Sequence, residues 1–244
     1  MIVAQATRLE SFELHADAVP GYDALGAFYY ITNNILTKQT DKQNWQYKNP
    51  VLGKLTKVDL QSPLKIVLFF QDFNTVVLLD SQLNETQRIN FSDDKDPVFP
   101  LGIGLASGNR LWIYNSVSQK IGLYDYAKRE FRNLTTPFPN NVVYYESDFN
   151  YFRWIDDHAN AFRCDVYGKI DILGTVPQNG QVQWATDTLL FYKKDNGLYQ
   201  FDFNGNKSTF IETGEKSFKN FTYKDQILSI FTDHGITNYK IILP

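Results

Sequence analysis

Cysteine and methionine are nearly absent from this chain, which contains one of each in 244 residues. The single cysteine, Cys164, excludes an intrachain disulfide. It lies in the alternating stretch FRCDV, which predicts a small buried core residue. A catalytic thiol would need a nearby histidine and an exposed, electropositive setting. The shortage of methionine and alanine argues against a bundle of helices.

Long apolar runs and an excess of basic charge are also missing. The longest purely apolar run, Ile66–Phe70, is far shorter than the ~20 residues that a membrane-spanning helix needs. Lys and Arg number 24 against 27 Asp and Glu, for a net charge of −3, so no basic surface for nucleic acid is predicted. The start of the chain lacks a basic segment, but Ala4 and Ala6 resemble the end of a cleaved export signal, and we interpret residues 1–4 as its remnant.

Aromatic residues are abundant, with 19 Phe and 15 Tyr, and they favour strands. The stretch GLYQFDFNGNK alternates apolar and polar residues up to Asp202 and then reaches Asn-Gly, which predicts a hairpin. The same pattern closes on an aspartate at Asp80, Asp125 and Asp165, with gaps of about 40 residues. At each position the carboxylate is expected to bind a backbone N–H two residues on and to hold the turn.

Each copy is preceded by an aromatic-rich strand and by one more short strand, which gives four strands per unit. A period near 40 with four short strands is typical of a β-propeller blade. With weaker copies at both ends, the sequence predicts one domain over residues 1–244, an all-β, six-bladed propeller of four antiparallel strands per blade. The last blade lacks its outer strand, and Thr7–Leu14 is expected to complete it and cover its edge. Seven prolines are expected in the crossovers between blades: Pro20, Pro50, Pro97, Pro100, Pro137, Pro139 and Pro177.

No catalytic, cofactor or metal site is predicted. The chain lacks G-x-S-x-G and phosphate-loop motifs, and Gly102-Ile103-Gly104 precedes a strand instead of a helix. His15, His158 and His234 fall in separate parts of the predicted ring, so they are not expected to converge on one ion. The acidic groups at 93–96 and 156–157 lack the spacing of a calcium loop and are interpreted as solvated loops.

Two predicted crossovers carry a phenylalanine bracketed by prolines, at Phe99 and Phe138. One interpretation is that each ring packs onto its blade and fixes the loop. The other is a rigid aromatic anchor for a protein partner, since proline lowers the entropy lost on binding. On the second interpretation the candidate partner-binding residues are Asp93, Asp94, Asp96, Phe99, Phe138 and Asn140.

The blade pattern L-Y-x-F-D-x-N-G-N-K, strongest in residues 64–134 and 187–211, resembles the broad family of exported bacterial propeller repeats. Within it the chain is most similar to the plug subunits of the type 9 protein-secretion translocon. The resemblance implies a non-enzymatic envelope protein, periplasmic and associated with the outer membrane without spanning it. Its implied partner is a large outer-membrane channel protein that it closes from the periplasmic side.

Two other functions stay open at this point. A propeller-type hydrolase or lyase would need polar groups that converge near the channel mouth. A small-ligand or carbohydrate binder would expose aromatic residues in the channel, and Trp184 on a predicted inner strand is the candidate. Since a fold does not fix a function, the sequence leaves the choice to the geometry of the site.

Overall fold

The computed structural model describes residues 3–177, 180–215 and 217–243, and for residues 3–5 the backbone only. These residues form 24 strands, arranged as six blades of four antiparallel strands in a ring. The fold is therefore a six-bladed β-propeller, as the repeat predicts. No helix in the described ranges has the length and apolarity to cross a membrane.

The first three blades follow the chain from their inner to their outer strand. Blade 1 contains β2 (Ala18–Tyr22), β3 (Phe28–Thr32), β4 (Ile35–Gln39) and β5 (Asn44–Lys48). Blade 2 contains β6 (Lys57–Ser62), β7 (Lys65–Phe70), β8 (Thr75–Leu79) and β9 (Glu85–Asn90). Blade 3 contains β10 (Pro100–Ala106), β11 (Arg110–Asn115), β12 (Lys120–Asp125) and β13 (Glu130–Asn133).

The last three blades continue in the same order, and the N-terminal strand returns to the last of them. Blade 4 contains β14 (Val142–Ser147), β15 (Tyr151–Asp156), β16 (Asn160–Asp165) and β17 (Ile170–Thr175). Blade 5 contains β18 (Val182–Trp184), β19 (Leu189–Lys194), β20 (Gly197–Asp202) and β21 (Lys207–Glu212). Blade 6 contains β22 (Asn220–Lys224), β23 (Ile227–Phe231), β24 (Gly235–Ile241) and β1 (Val3–Glu13).

The N-terminal strand closes the ring, which confirms the predicted closure. Residues Ala6–Glu13 of β1 pair antiparallel with β24, and Val3–Gln5 pair in parallel with β21 of blade 5. The strand is longer than the predicted Thr7–Leu14 and joins blades 5 and 6 into one hydrogen-bonded sheet. Of the interpreted signal remnant, Met1 and Ile2 lie outside the described residues, and Val3 and Ala4 belong to β1.

Apolar side chains fill the spaces between neighbouring blades. The buried residues divide into six clusters, one at each blade interface. Strand β7 shows why its apolar run is unbroken, because Ile66 and Leu68 pack towards blade 1 while Val67 and Phe69 pack towards blade 3. A strand buried on both faces needs apolar residues at successive positions.

Two of the seven crossover prolines are placed differently from the prediction. Pro20 lies inside β2, and Pro100 is the first residue of β10. Both coincide with irregularities in the register, between Ala18 and Gly21 and between Pro100 and Gly102. A bulge leaves one residue without a ladder partner, so proline is accommodated there although it has no N–H to donate.

Candidate functional site

One face of the ring carries both the crossovers between blades and the hairpins between the second and third strands, and we call it the crossover face. Side chains tie the two sets of loops together. Asn34 Nδ2 donates to Gly53 O at 2.7 Å, and Asn74 Nδ2 donates to Val98 O at 2.8 Å. Both asparagines have positive φ, at 62° and 48°, a conformation that asparagine tolerates better than most residues. The loops therefore form a connected surface.

Exposed apolar side chains run along this face from the first crossover to the third blade. We call this set the apolar ridge: Val51, Phe73, Phe99, Leu101 and Val117. Hydrogen bonds between their sequence neighbours set them side by side, since Asn74 binds the carbonyl that precedes Phe99 and Ser116 donates to Phe99 O at 2.9 Å. Phe73 also lies against the crossover of Val51, because a Cβ on Gly53 would meet its ring at 3.1 Å. The ridge thus spans loops of blades 1, 2 and 3.

The predicted partner-binding residues separate into two groups. Phe99 lies on the ridge, 45% exposed, with Asp93 and Asp96 exposed in the same crossover. Asp94 instead accepts hydrogen bonds from Tyr124 and Arg129 at 2.6 and 2.7 Å, and its side chain is buried. These two contacts attach the crossover to blade 3.

In the crossover from blade 3 to blade 4, the predicted residues pack or bond within the protein. Phe138 is stacked between Tyr114 and Trp154, at centroid distances of 5.9 and 4.6 Å, and so fills the space between blades 3 and 4. Asn140 donates to Asp156 at 2.8 Å. The structure therefore brings Phe99, Asp93 and Asp96 together and sets Phe138 and Asn140 apart from them. The other four residues of the ridge were not predicted from the sequence, although Phe73 and Val117 are apolar residues at hairpin tips, which is a signal that a sequence shows.

A central channel of about 500 Å³ runs between the inner strands. It is lined by β6, β14, β18, β22 and part of β2. Strand β10 contributes no lining residue, because it lies close against β14: a Cβ on Gly104 would sit 1.9 Å from Ser147 Oγ. The channel is therefore narrowed at blade 3 and bounded by the inner strands of the other five blades.

Two carboxylates of the channel wall are held by backbone N–H groups of the next blade. Asp59 accepts from Leu105 N at 2.6 Å, and Glu146 accepts from Trp184 N at 3.0 Å and from the Tyr144 hydroxyl. Burial raises the pKa of Asp59 and of Glu146, although these hydrogen bonds and the charge of Lys57 oppose the shift. The carboxylates act as links between blades, as do Gln181 and Gln183, which bond the backbone of β22.

Trp184 is among the residues that line the channel, but most of its ring is buried between blades, whereas the small-ligand alternative requires an exposed ring. It is 7% exposed and packs between blades 4 and 5, stacked on Tyr144 at 5.9 Å. Inner-strand side chains alternate between the two neighbouring blades, so Trp184 faces blade 4 while Gln183 faces blade 6. The small-ligand alternative therefore gains no support from Trp184.

Ligand-type side chains meet at one place in the described residues, the hairpin with Asp156, Asp157 and His158. Asp156 is engaged by the turn itself, accepting from Asn140 and from the backbone N–H groups of His158 and Asn160. His15 and His234 lie in other loops, and all three histidines are exposed. Cys164 is buried, and burial raises the pKa of its thiol to about 12, as expected for a core cysteine.

No protein-family model and no curated protein sequence matches the chain. Solved structures with the same fold do. The chain is similar to a catalytically inactive histidine-to-alanine variant of virginiamycin B lyase from Staphylococcus aureus with quinupristin (TM-score 0.61, 14% identity, 95% of this chain and 84% of that one). It is also similar to YCF48 bound to D1 peptide (0.55, 10%, 89% and 76%). A third similar structure is the extracellular domain of the putative one-component system BT4673 from B. thetaiotaomicron (0.53, 13%, 95% and 40%). At these identities the likeness establishes the propeller fold.

Proposed function

We propose that this chain is a non-enzymatic, protein-binding propeller of the bacterial envelope that docks through its crossover face. The observation that carries the proposal is the apolar ridge. Its five side chains are 45–75% exposed and lie on loops, or for Leu101 at the start of β10, that are joined by hydrogen bonds. Exposed apolar residues that are preordered on one surface mark interaction sites, because little entropy is lost when a partner covers them.

The partner that fits is the periplasmic mouth of a large outer-membrane protein-secretion channel. Three exposed aspartates flank the ridge, Asp72, Asp93 and Asp96, against two exposed lysines, Lys54 and Lys95. The ridge therefore favours an apolar surface with a rim that is basic on balance. The resemblance to translocon plug subunits supports this choice. Two structures with the same fold agree with this choice. YCF48 binds a peptide, D1, and the BT4673 domain is extracellular.

A lyase-type activity has less support from the geometry. The lyase variant with quinupristin is inactive through the loss of a histidine. The three histidines of this chain are exposed in separate loops, and the channel carboxylates are engaged with backbone N–H groups of adjacent blades. The two carboxylates therefore have a structural role, because they join neighbouring blades.

The test is a pull-down of the tagged protein from gently solubilised native envelopes, read by mass spectrometry. We expect near-stoichiometric recovery of one very large outer-membrane protein. Phe73→Ser combined with Phe99→Ser should abolish recovery, whereas Leu25→Ser with Leu64→Ser, two exposed apolar residues on hairpins of the opposite face, should leave it intact. Free protein without a partner, or equal recovery with both double variants, would refute the docking face.

A further inference from the structure

The outer strand of blade 4 differs from the other outer strands in what it exposes. On β5, β9 and β13 the exposed side chains are polar or charged, as is usual for edge strands that must not pair with other chains. On β17 the exposed positions include Ile170 and Ile172, which are 40% and 76% exposed. The edge of β21, by contrast, is partly covered by β1.

The backbone of β17 is free to pair along this edge. Asp165 N donates to Lys169 O at 3.0 Å, and Asp171 lies opposite Arg163 in β16. Because hydrogen bonding alternates along an antiparallel strand, the N–H and C=O groups of Ile170 and Ile172 point away from β16. Among the described residues no strand lies beyond β17 in its sheet.

The charges beside these isoleucines do not protect the edge. Lys169 and Asp171 form an ion pair at 2.9 Å, and Asp171 also accepts from Arg163 at 3.1 Å. They alternate with the isoleucines and so project to the other face of the strand. Their charges largely cancel, so the edge repels a second strand only weakly.

We propose that β17 is a self-association edge, which pairs antiparallel with β17 of a second copy about a two-fold axis through Ile170. In this register Ile170 faces its own equivalent, and Lys169 faces Asp171 of the other copy on both sides of the axis. Ile172 then lies opposite Gly168, which belongs to the turn before β17, so the pairing is centred on residues 169–171. Opposite charges across strands and a self-complementary patch are what an isologous interface requires.

Alternative registers are less favourable. An axis through Asp171 would place two like carboxylates directly opposite each other, which destabilises a strand pair. An axis through Ile172 would run into the register shift that separates Ile172 from Gly174 in the pairing with β16. The edge is short, so association is expected to be weak, with a Kd between about 10 μM and about 1 mM.

Sedimentation velocity of the full chain over that concentration range tests the proposal. The weight-average mass of the parent protein should rise towards twofold. Ile170→Lys should stay monomeric, and Thr86→Lys, at an exposed position of β9, should behave like the parent. A monomer at every concentration, or equal loss in both variants, would overturn the proposal.

A charge exchange tests the register itself. Lys169→Asp alone and Asp171→Lys alone should each fail to self-associate, but a mixture of the two should form dimers, because each mutated residue then faces an opposite charge. Ile170→Cys should form a disulfide-linked dimer on mild oxidation, since Cα atoms about 5.5 Å apart suit a disulfide. The variant is made together with Cys164→Ala, because Cys164 in β16 lies directly opposite residue 170 and would compete for the new thiol. Failure of the mixture to associate, or cross-linking of a Thr86→Cys control at the same rate, would contradict this register.

Discussion

At the residue scale, the four aspartates of the repeat hold turns, as the sequence pattern predicts. Asp80, Asp125, Asp165 and Asp202 each accept a hydrogen bond from the backbone N–H two residues on, at 2.8–3.1 Å. The carboxylate holds the turn between the third and fourth strands of its blade. In blade 1 the hydroxyl of Thr40 does the same for its turn, accepting from the backbone N–H groups of Lys42 and Gln43.

Glu146 is a buried carboxyl group, and its burial makes its ionisation unfavourable. Burial raises the pKa of its carboxyl, so ionisation is less favourable in the folded chain than in the unfolded one. Below the pKa of the unfolded chain the carboxyl is protonated in both states, so its ionisation has no effect on stability. As pH rises from there through the raised folded-state pKa, stability is lost.

Replacing Glu146 with glutamine should therefore stabilise the protein increasingly as pH rises. Glutamine keeps an oxygen that can accept from Trp184 N and Tyr144 but cannot ionise. The check is urea unfolding of Glu146→Gln and the parent between about pH 4 and about pH 8. Glu85→Gln is the control with the opposite sign, because the hydrogen bond from Arg88 lowers the pKa of Glu85. A pH-independent difference for Glu146→Gln would contradict the assignment.

At the scale of elements, the strands meet through contacts between blades that the sequence pattern does not show. The alternation of apolar residues predicts which strand faces which neighbour, and the six interface clusters follow from it. The close approach of β10 to β14 is different, because it depends on a glycine in one blade and a serine in the next. A single sequence carries no signal for such a pairing across about 40 residues.

Gly104→Ala should destabilise the ring at this approach. Its Cβ would meet Ser147 Oγ at 1.9 Å and Asp59 Oδ2 at 3.0 Å, and we expect a loss of about 1–3 kcal/mol in the free energy of unfolding. Adding Ser147→Gly should recover part of the loss, while Gly180→Ala, where a Cβ meets nothing closer than 3.8 Å, should cost less than about 0.5 kcal/mol. Chemical denaturation measures all three. Additive losses in the double variant would show that the clash lies elsewhere.

For the whole molecule, ring closure was the most distant contact that could be predicted from sequence. The sequence has a strand without a blade at its N-terminal end and a blade without an outer strand at its C-terminal end. Because an uncovered sheet edge is unfavourable, the two were predicted to pair. The parallel pairing of Val3–Gln5 with β21 had no such signal. The candidate site was predicted in part: the Pro-bracketed Phe99 is exposed on the ridge, whereas the same motif at Phe138 became an interface contact, because Tyr114 and Trp154 offered it a stacking site.

Strand β1 holds the ring together because it contacts three blades. It pairs with β24 in blade 6 and with β21 in blade 5, and Phe12 packs edge-on against Phe28 of blade 1 at 5.5 Å. Removing residues 1–14 opens the edge of β24 and exposes the apolar cluster between blades 6 and 1. The sheet that closes the ring would then lose a complete strand.

Phe12→Ala alone should lower the free energy of unfolding by about 2–3 kcal/mol, because Phe12 is partly buried. We expect the truncation to lower it by more. Thermal and urea unfolding of the truncated chain, of Phe12→Ala and of Leu9→Ala provide the comparison, since Leu9 is exposed on the same strand and should change stability by less than about 0.5 kcal/mol. A truncated chain that melts like the parent would mean that five complete blades and an open sixth are stable without closure. If Phe12→Ala instead matched the truncation, the contact with blade 1 alone, and not the strand pairing, would be what closes the ring.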